Sequence, residues 1–303
     1  MVHLVLENDD NRASLLRQGY DAQWNDDGHH ALHVLAHRRE RRLLPGLPRA
    51  AALPGALPGR RLRLPGRSQP PRPAARRTEC PTWRRTPSCC FCKNHDQVGN
   101  RAFGERLSVL AEPQTLRLAI ALQLLAPMIP LLFMGEECAA REPFLYFTDH
   151  QGELADAVRE GRRKEFGEFG RFGEGAILAS LPDPNAVETF ERSRPGLADC
   201  DPAWRGFYRQ LLEIRHEHLI PRLRGARSLG VTTIAGAALS ARWRLGDGSD
   251  WRIDFNPSPL EAEVEPPAAA TWVLFLDNLA CAEYRRGRLS PRSIAVSLEP
   301  AHE

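Results

Sequence analysis

Cys89-Cys90-Phe91-Cys92-Lys93-Asn94-His95-Asp96-Gln97 is a short apolar run that breaks into polar residues, and the sequence after it repeats that arrangement. Thr115-Leu116-Arg117-Leu118-Ala119-Ile120-Ala121-Leu122-Gln123-Leu124-Leu125 places apolar residues at 116, 119, 120 and 124, one face of a helix, with Pro127 just beyond. Pro130-Leu131-Leu132-Phe133-Met134 is a second apolar run, closed by Gly135-Glu136-Glu137. Runs this short suit buried strands better than helices. Strands are therefore expected over 90–92 and 130–134. Strand, polar end, helix, strand, polar end predicts a parallel sheet with helical crossovers, because parallel neighbours cannot be joined by a tight hairpin.

The same α/β texture runs upstream. His3-Leu4-Val5-Leu6 reads as a buried strand ending at Glu7, and helices are expected through 13–17 and 29–35. Residues 38–87 break the pattern: ten prolines interrupt every apolar run, and fourteen arginines stand against two acids, Glu40 and Glu79. Such a segment cannot bury a face and is predicted disordered. Helical spacing returns at 153–169 and at 204–218, the latter with Phe207, Leu211, Leu212 and Ile214 on its apolar side. Beyond about 224, four alternating runs (232–234, 239–245, 251–255 and 271–275) separated by Gly, Asp or Pro predict a small antiparallel β domain. The domains so read are 1–37 and 88–223 as one α/β domain, 38–87 as a low-complexity segment within it, and 224–303 as a β domain.

Composition narrows the function classes. The chain of 303 residues is 42% hydrophobic, enough for a buried core, and no run nears the roughly 18–20 apolar residues of a membrane span. Met1 opens directly onto the first strand without a basic leader, so a cytoplasmic protein is expected. The basic window 38–87 carries +12 while the whole chain carries +3, leaving an acidic remainder that argues against a nucleic-acid partner. Seven cysteines, odd in number and irregular in spacing, imply no disulfide framework. Cys89, Cys90 and Cys92 with His95 lack the second ligand pair that zinc requires, so buried thiols and no metal are expected.

The polar strand ends offer carboxylates and an imidazole: Glu7, His95-Asp96 and Glu136-Glu137. Cleaving a glycosidic bond needs two carboxyl groups flanking it, one to protonate the leaving oxygen and one to act as nucleophile or base. Phe91-x-x-Asn94-His95-Asp96-Gln97 resembles the Asn-His-Asp region of the α-amylase-type glycoside hydrolases. Longer stretches resemble the trehalohydrolase branch of that family: Val5–Asn11, Tyr20–Asp27, Asn94–Ala102, Leu132–Glu137, Phe147–His150, Asp183–Asn185 and Thr189–Ser193.

The resemblance implies the second half of a (β/α)8 TIM barrel, strands 5–8, followed by a small antiparallel β-sandwich. It places Glu7 on the family's general acid/base, which needs a pKa raised by neighbouring carboxylates or partial burial. It places Asp96 on the third, stabilising carboxylate and His95 on the substrate-gripping imidazole. Trp24, Asn25 and Asp26 would line the sugar site, where helix capping is the other reading of the latter two, and Glu136 would touch substrate. The implied substrate is a malto-oligosyltrehalose or related α-glucan, cut at the α-1,4 bond next to the trehalose unit with no cofactor. A glycogen-branching or debranching relative and a non-catalytic remnant are the alternatives.

Three departures from the family pattern stand out. The family's nucleophilic aspartate ends an earlier strand, and no strand precedes His3, so an impaired, truncated enzyme with two open sheet edges is expected. Residues 38–87 do not resemble the family although both flanks do, at nearly constant spacing from Glu7 to Asp96. A frame shift in a GC-rich gene would produce that mixture; a basic arm for an acidic partner is the other reading. Finally, Cys138 stands where relatives tend to carry an aromatic, and Lys93 where a neutral amide is usual.

Overall fold

The computed structural model describes residues 3–7, 18–24, 88–167, 179–196, 200–234 and 238–301. The helices expected at 13–17 and 29–35 and the low-complexity segment 38–87 lie outside these residues. The chain divides into two compact units. The first comprises 1–92, 111–131 and 207–303, and the second comprises 93–110 and 132–206.

The first unit holds all the strands found among the described residues. Four short ones, β1 (Val5–Leu6), β2 (Ala22–Trp24), β3 (Ser88–Cys90) and β4 (Ile129–Pro130), form a parallel sheet in the order β1-β2-β3-β4. Each strand lies beside its predecessor, the singly wound order of (β/α) barrels. Two expected strands are corrected. The strand expected at 90–92 ends at Cys90, because the Cys92 amide is taken by a side chain, Gln123 Oε1, at 2.9 Å. The strand expected at 130–134 is only Ile129–Pro130: the Leu131 amide makes the last bond to the Cys90 carbonyl, the Leu131 carbonyl is taken by the Gln123 side chain, and Leu132 and Met134 are exposed.

The crossover between β3 and β4 is α3 (Pro113–Leu125), which follows α1 (His95–Gly99) and α2 (Leu107–Leu110) of the second unit. It begins two residues before the periodic run, because Glu112 caps the amides of Gln114 and Thr115 and Pro113 sits at the first position, where its missing N–H costs nothing. Nearly every residue from Thr115 to Leu125 is buried, so the helix is a core element and not an amphipathic one. Arg215 closes its carboxyl end by donating to the carbonyls of Leu124 and Ala126, both at 2.7 Å, and of Met128. Burial pulls that guanidinium down to about 10.

Arg215 itself begins a π-helical turn, Arg215–Leu219, which continues α6 (Pro202–Ile214) over the predicted span. Within the first unit, Phe207 and Leu211 are buried, Leu212 is exposed, and the Arg117 guanidinium stacks 3.8 Å from the Phe207 ring centre.

The β domain also belongs to the first unit. β5 (Arg227–Thr233), β6 (Leu239–Arg244), β7 (Asp250–Asn256), β9 (Trp272–Asp277) and β11 (Ser293–Glu299) make an antiparallel sheet in the order β5-β6-β7-β11-β9. A second, two-stranded piece pairs β8 (Ala262–Glu263) with β10 (Arg288–Leu289). β6 alternates as its sequence predicts, burying Leu239, Ala241 and Trp243, while every residue of β7 is buried. Burying Arg252 and Asp254 is tolerable because they pair at 2.7 Å and the Tyr284 hydroxyl, from α7 (Cys281–Arg285), donates to the same carboxylate.

The second unit contains α4 (Gly152–Gly167) and α5 (Val187–Arg192) besides α1 and α2. A disulfide joins Cys138 to Cys200, Cα to Cα 4.4 Å. The cysteine spacing implied no disulfide framework, and it gave no sign of this single bond, since contact between distant segments is invisible in spacing. Cys89, Cys90 and Cys92 are free and buried, as read from the sequence.

Candidate active site

In the first unit, parallel pairing sends the carboxyl ends of the four short strands to one edge of the sheet. Glu7 follows β1 directly and is exposed. The partial burial that an acid catalyst calls for is not supplied around it by the described residues. Trp24 closes β2, half-buried, and its ring meets that of Phe91 edge-on at 5.3 Å. Asn25 and Asp26 lie outside the described residues.

The end of β3 is braced from within. Gln123, fully buried on α3, accepts from the Cys92 amide through Oε1 and donates to the Leu131 carbonyl through Nε2 at 2.9 Å. The Leu131 amide in turn bonds the Cys90 carbonyl at 2.9 Å. One carboxamide thus satisfies a donor and an acceptor that the strand ladder leaves over. A lone Gln amid Leu122, Leu124 and Leu125 was the available signal, and sequence reasoning missed it.

In the second unit, Asn94 opens α1. Its Oδ1 accepts from the amides of Asp96 (2.9 Å) and Gln97 (3.0 Å), while Gln97 Oε1 accepts from the Asn94 amide at 2.8 Å. This reciprocal capping box needs an acceptor and a Gln three residues apart, which Asn94-x-x-Gln97 provides. His95 and Asp96 therefore share the first turn of a helix, both exposed, while Asn94 and Lys93 are buried. The Asn100 side chain donates to Asp96 Oδ1 at 2.9 Å, so the carboxylate is oriented from its own helix.

Glu136 stands on another part of that unit, in a tight turn over Glu136–Cys138, and is 3% exposed. The turn starts from Gly135 at φ 79°, where a Cβ would lie 2.9 Å from that of Ala140. Arg106, completely buried, spans the loop by donating to Met134 O at 2.8 Å and Glu142 O at 2.7 Å. Burial lowers the pKa of this guanidinium, and the charges of Glu142, Glu136 and Glu137 oppose the shift. Ser108 Oγ donates to Ala140 O at 2.6 Å.

Two other recognisable stretches of the second unit bind each other. Asn185 Oδ1 accepts from the Thr148 hydroxyl at 2.8 Å and the His150 amide at 3.0 Å. The Thr148 amide bonds Pro184 O at 2.7 Å, and Phe147 meets Phe190 edge-on at 5.2 Å. The Asp183-Pro184-Asn185 and Phe147-Thr148-Asp149-His150 stretches thus serve the framework.

A family described as a domain of unknown function (DUF3459) matches residues 226–296, the span of the antiparallel sheet. A malto-oligosyltrehalose trehalohydrolase of Deinococcus radiodurans is 40% identical over 176 residues, 53% of this chain and 28% of its own length. One from Rhizobium sp. strain M-11 is 34% identical over 97% of this chain and 50% of its own length. A crystal structure from Salmonella typhimurium described as an alpha amylase superposes with a TM-score of 0.76 at 33% identity, over 98% of this chain and 51% of that one. The α-amylase of H. orenii, 15% identical, shares the fold with a TM-score of 0.53. The chain spans half or less of the length of these curated relatives. It belongs to the α-amylase-type glycoside hydrolases, among the malto-oligosyltrehalose trehalohydrolases, and corresponds to their C-terminal part.

Proposed function

We propose that Glu7, His95 and Asp96 serve hydrolysis of the α-1,4-glucosidic bond next to the trehalose unit of a malto-oligosyltrehalose, releasing trehalose. The observation that carries the reading is the match to one trehalohydrolase over 97% of the chain, beside the sequence stretches around these three residues that resemble the family's motifs. Glu7, as acid, protonates the glycosidic oxygen and later takes the proton of the attacking water. Asp96 holds sugar hydroxyls more tightly as the ring flattens, and His95 grips the same sugar by hydrogen bonds. Trp24 offers an apolar face, Asn25 and Asp26 offer polar ones, and Glu136 contributes a carboxylate. The barrel would comprise 1–37 and 88–223, interrupted by 38–87 as an Arg/Pro-rich low-complexity segment, disordered or frame-shifted, and a β-sandwich would follow over 224–303. No cofactor enters this chemistry, and a cytoplasmic enzyme fits it. No helix among the described residues is long and apolar enough to cross a membrane.

A polypeptide of just these 303 residues matches the family's acid and stabiliser and carries no match to its nucleophile. Incubated with malto-oligosyltrehalose, it should release trehalose at least about a thousandfold more slowly than a full-length relative assayed beside it. Glu7→Gln should remove what remains. A rate equal to the relative's would overturn this assignment of roles. Branched glucans in place of trehalose would point to a branching or debranching enzyme, and failure to bind any α-glucan would point to a remnant.

A further inference from the structure

We propose that Cys138–Cys200 is a reducible clamp that fixes the loop carrying Glu136. The inference deepens the α-glucan reading, on which the sugar-binding consequence rests. Arg106 holds this loop at its two ends, Met134 and Glu142, and Ser108 holds it at Ala140. Between these anchors the chain makes a tight turn over Glu136–Cys138, and the next residue, Ala139, has φ 51°. A residue with a Cβ is disfavoured there, so the turn persists only while its neighbours hold it. The disulfide enters at this point, one residue before Ala139, and ties the turn to a segment 62 residues away. The Asp201 amide adds a bond to Cys138 O at 3.3 Å.

Chemical selectivity favours the same pair. Cys89, Cys90 and Cys92 are 2–5% exposed. Burial pushes up the pKa of Cys89 and takes that of Cys90 to about 12, which leaves little thiolate for exchange. Cys138 and Cys200 are half-buried, so a small dithiol can reach them. Its thiolate attacks one of the two sulfurs, the S–S bond breaks, and the departing sulfur is protonated. The second thiol of the reductant then displaces the other protein sulfur. The protein gains two electrons and two thiols, and the reductant leaves as a cyclic disulfide.

The exposed Arg141 lies inside the clamped loop and reports on it through tryptic cleavage. The air-oxidised full chain should yield a peptide cross-linked through Cys138 and Cys200 in a non-reducing digest. Adding dithiothreitol should speed cleavage after Arg141 about tenfold, read on reducing gels after quenching, because cleavage follows local opening. The Cys138→Ser/Cys200→Ser chain should be cut at the faster rate with or without dithiol. Affinity for maltodextrin should fall on reduction in the wild-type chain alone. An air-oxidised chain without the cross-linked peptide, or a cleavage rate unchanged within about twofold on reduction, would overturn the clamp. If cleavage responds while neither redox form binds maltodextrin, the clamp stands and the α-glucan reading falls. If maltodextrin binds equally to both forms, the link from clamp to sugar site is overturned. Wild-type chain with and without dithiol gives these answers even if the double variant does not fold.

Discussion

The first unit is held by ladders and the second by individual side chains. In the first, β7 pairs along its whole length with β11 and from Asp250 to Phe255 with β6, so its backbone groups find partners through register alone. The second has no strand among its described residues. Its loops depend on particular groups: Arg106 on two carbonyls, Ser193 Oγ on the Leu145 amide, Asn185 on Thr148 and His150, and a disulfide. A ladder asks only for alternation and tolerates many side chains, whereas a carbonyl held by one guanidinium asks for that residue. This explains why five of the seven recognisable stretches, from Asn94 to Ser193, fall in the second unit. Much of what identifies the family is framework chemistry and not catalysis.

The comparison can be broken at its strongest point in the first unit. Trp251 on β7 is fully buried, and its Nε1 donates to Leu125 O at 2.9 Å, tying the antiparallel sheet to the end of α3. Trp251→Ala should cost about 3–5 kcal/mol for the cavity and about 1 kcal/mol more for the hydrogen bond. Urea unfolding followed by circular dichroism measures it. A loss below about 2 kcal/mol would show that sheet burial does not dominate this unit.

In the second unit the matching change is Arg106→Met, which keeps an apolar stem of similar length and removes the donors. Two part-buried bonds, to Met134 O and Glu142 O, are then lost, while the cost of burying a cation disappears. A net loss of about 2–3 kcal/mol is expected, with faster hydrogen exchange confined to 134–142. A neutral substitution would mean that solvent reaches those carbonyls and that single side chains matter less here than proposed.

The two means of cohesion also decide what was legible in the sequence. Alternation located β6 and β7 to within a residue or two, and apolar spacing located α3 and α4. β11 was missed because its serines at 293 and 297 hide an alternation of Ile294, Val296 and Leu298. The runs at 90–92 and 130–134 misled because apolar content marks burial without marking where a ladder stops. Gln123 decides that, through its bonds to the Cys92 amide and the Leu131 carbonyl. His95 and Asp96 were legible as chemistry, while the cap that places them, Asn94 with Gln97, was legible in spacing and overlooked. The Cys138–Cys200 bond joins segments 62 residues apart and left no local trace.

Acid provides the finest test of the side-chain framework. The amide of Asn185, which bonds Asp183 Oδ1 at 3.0 Å, is the main influence holding the Asp183 carboxyl below its usual range, and Arg159, 2.9 Å from both oxygens, adds to it. A carboxylate whose pKa is lower folded than unfolded binds fewer protons in the native state. Its contribution is therefore present above the unfolded value, near 4, and is lost as pH falls through the lower folded value. Because Asp183 is solvent-accessible, the effect is small and screened by salt. Asp183→Asn should leave a slightly less stable chain whose unfolding midpoint changes less between pH 5 and pH 3 than that of the wild type, about a degree or two in thermal melts. An unaltered acid slope would place the acid sensitivity of this unit elsewhere and confine Asp183 to shaping the turn before Asn185, since asparagine can still accept that amide.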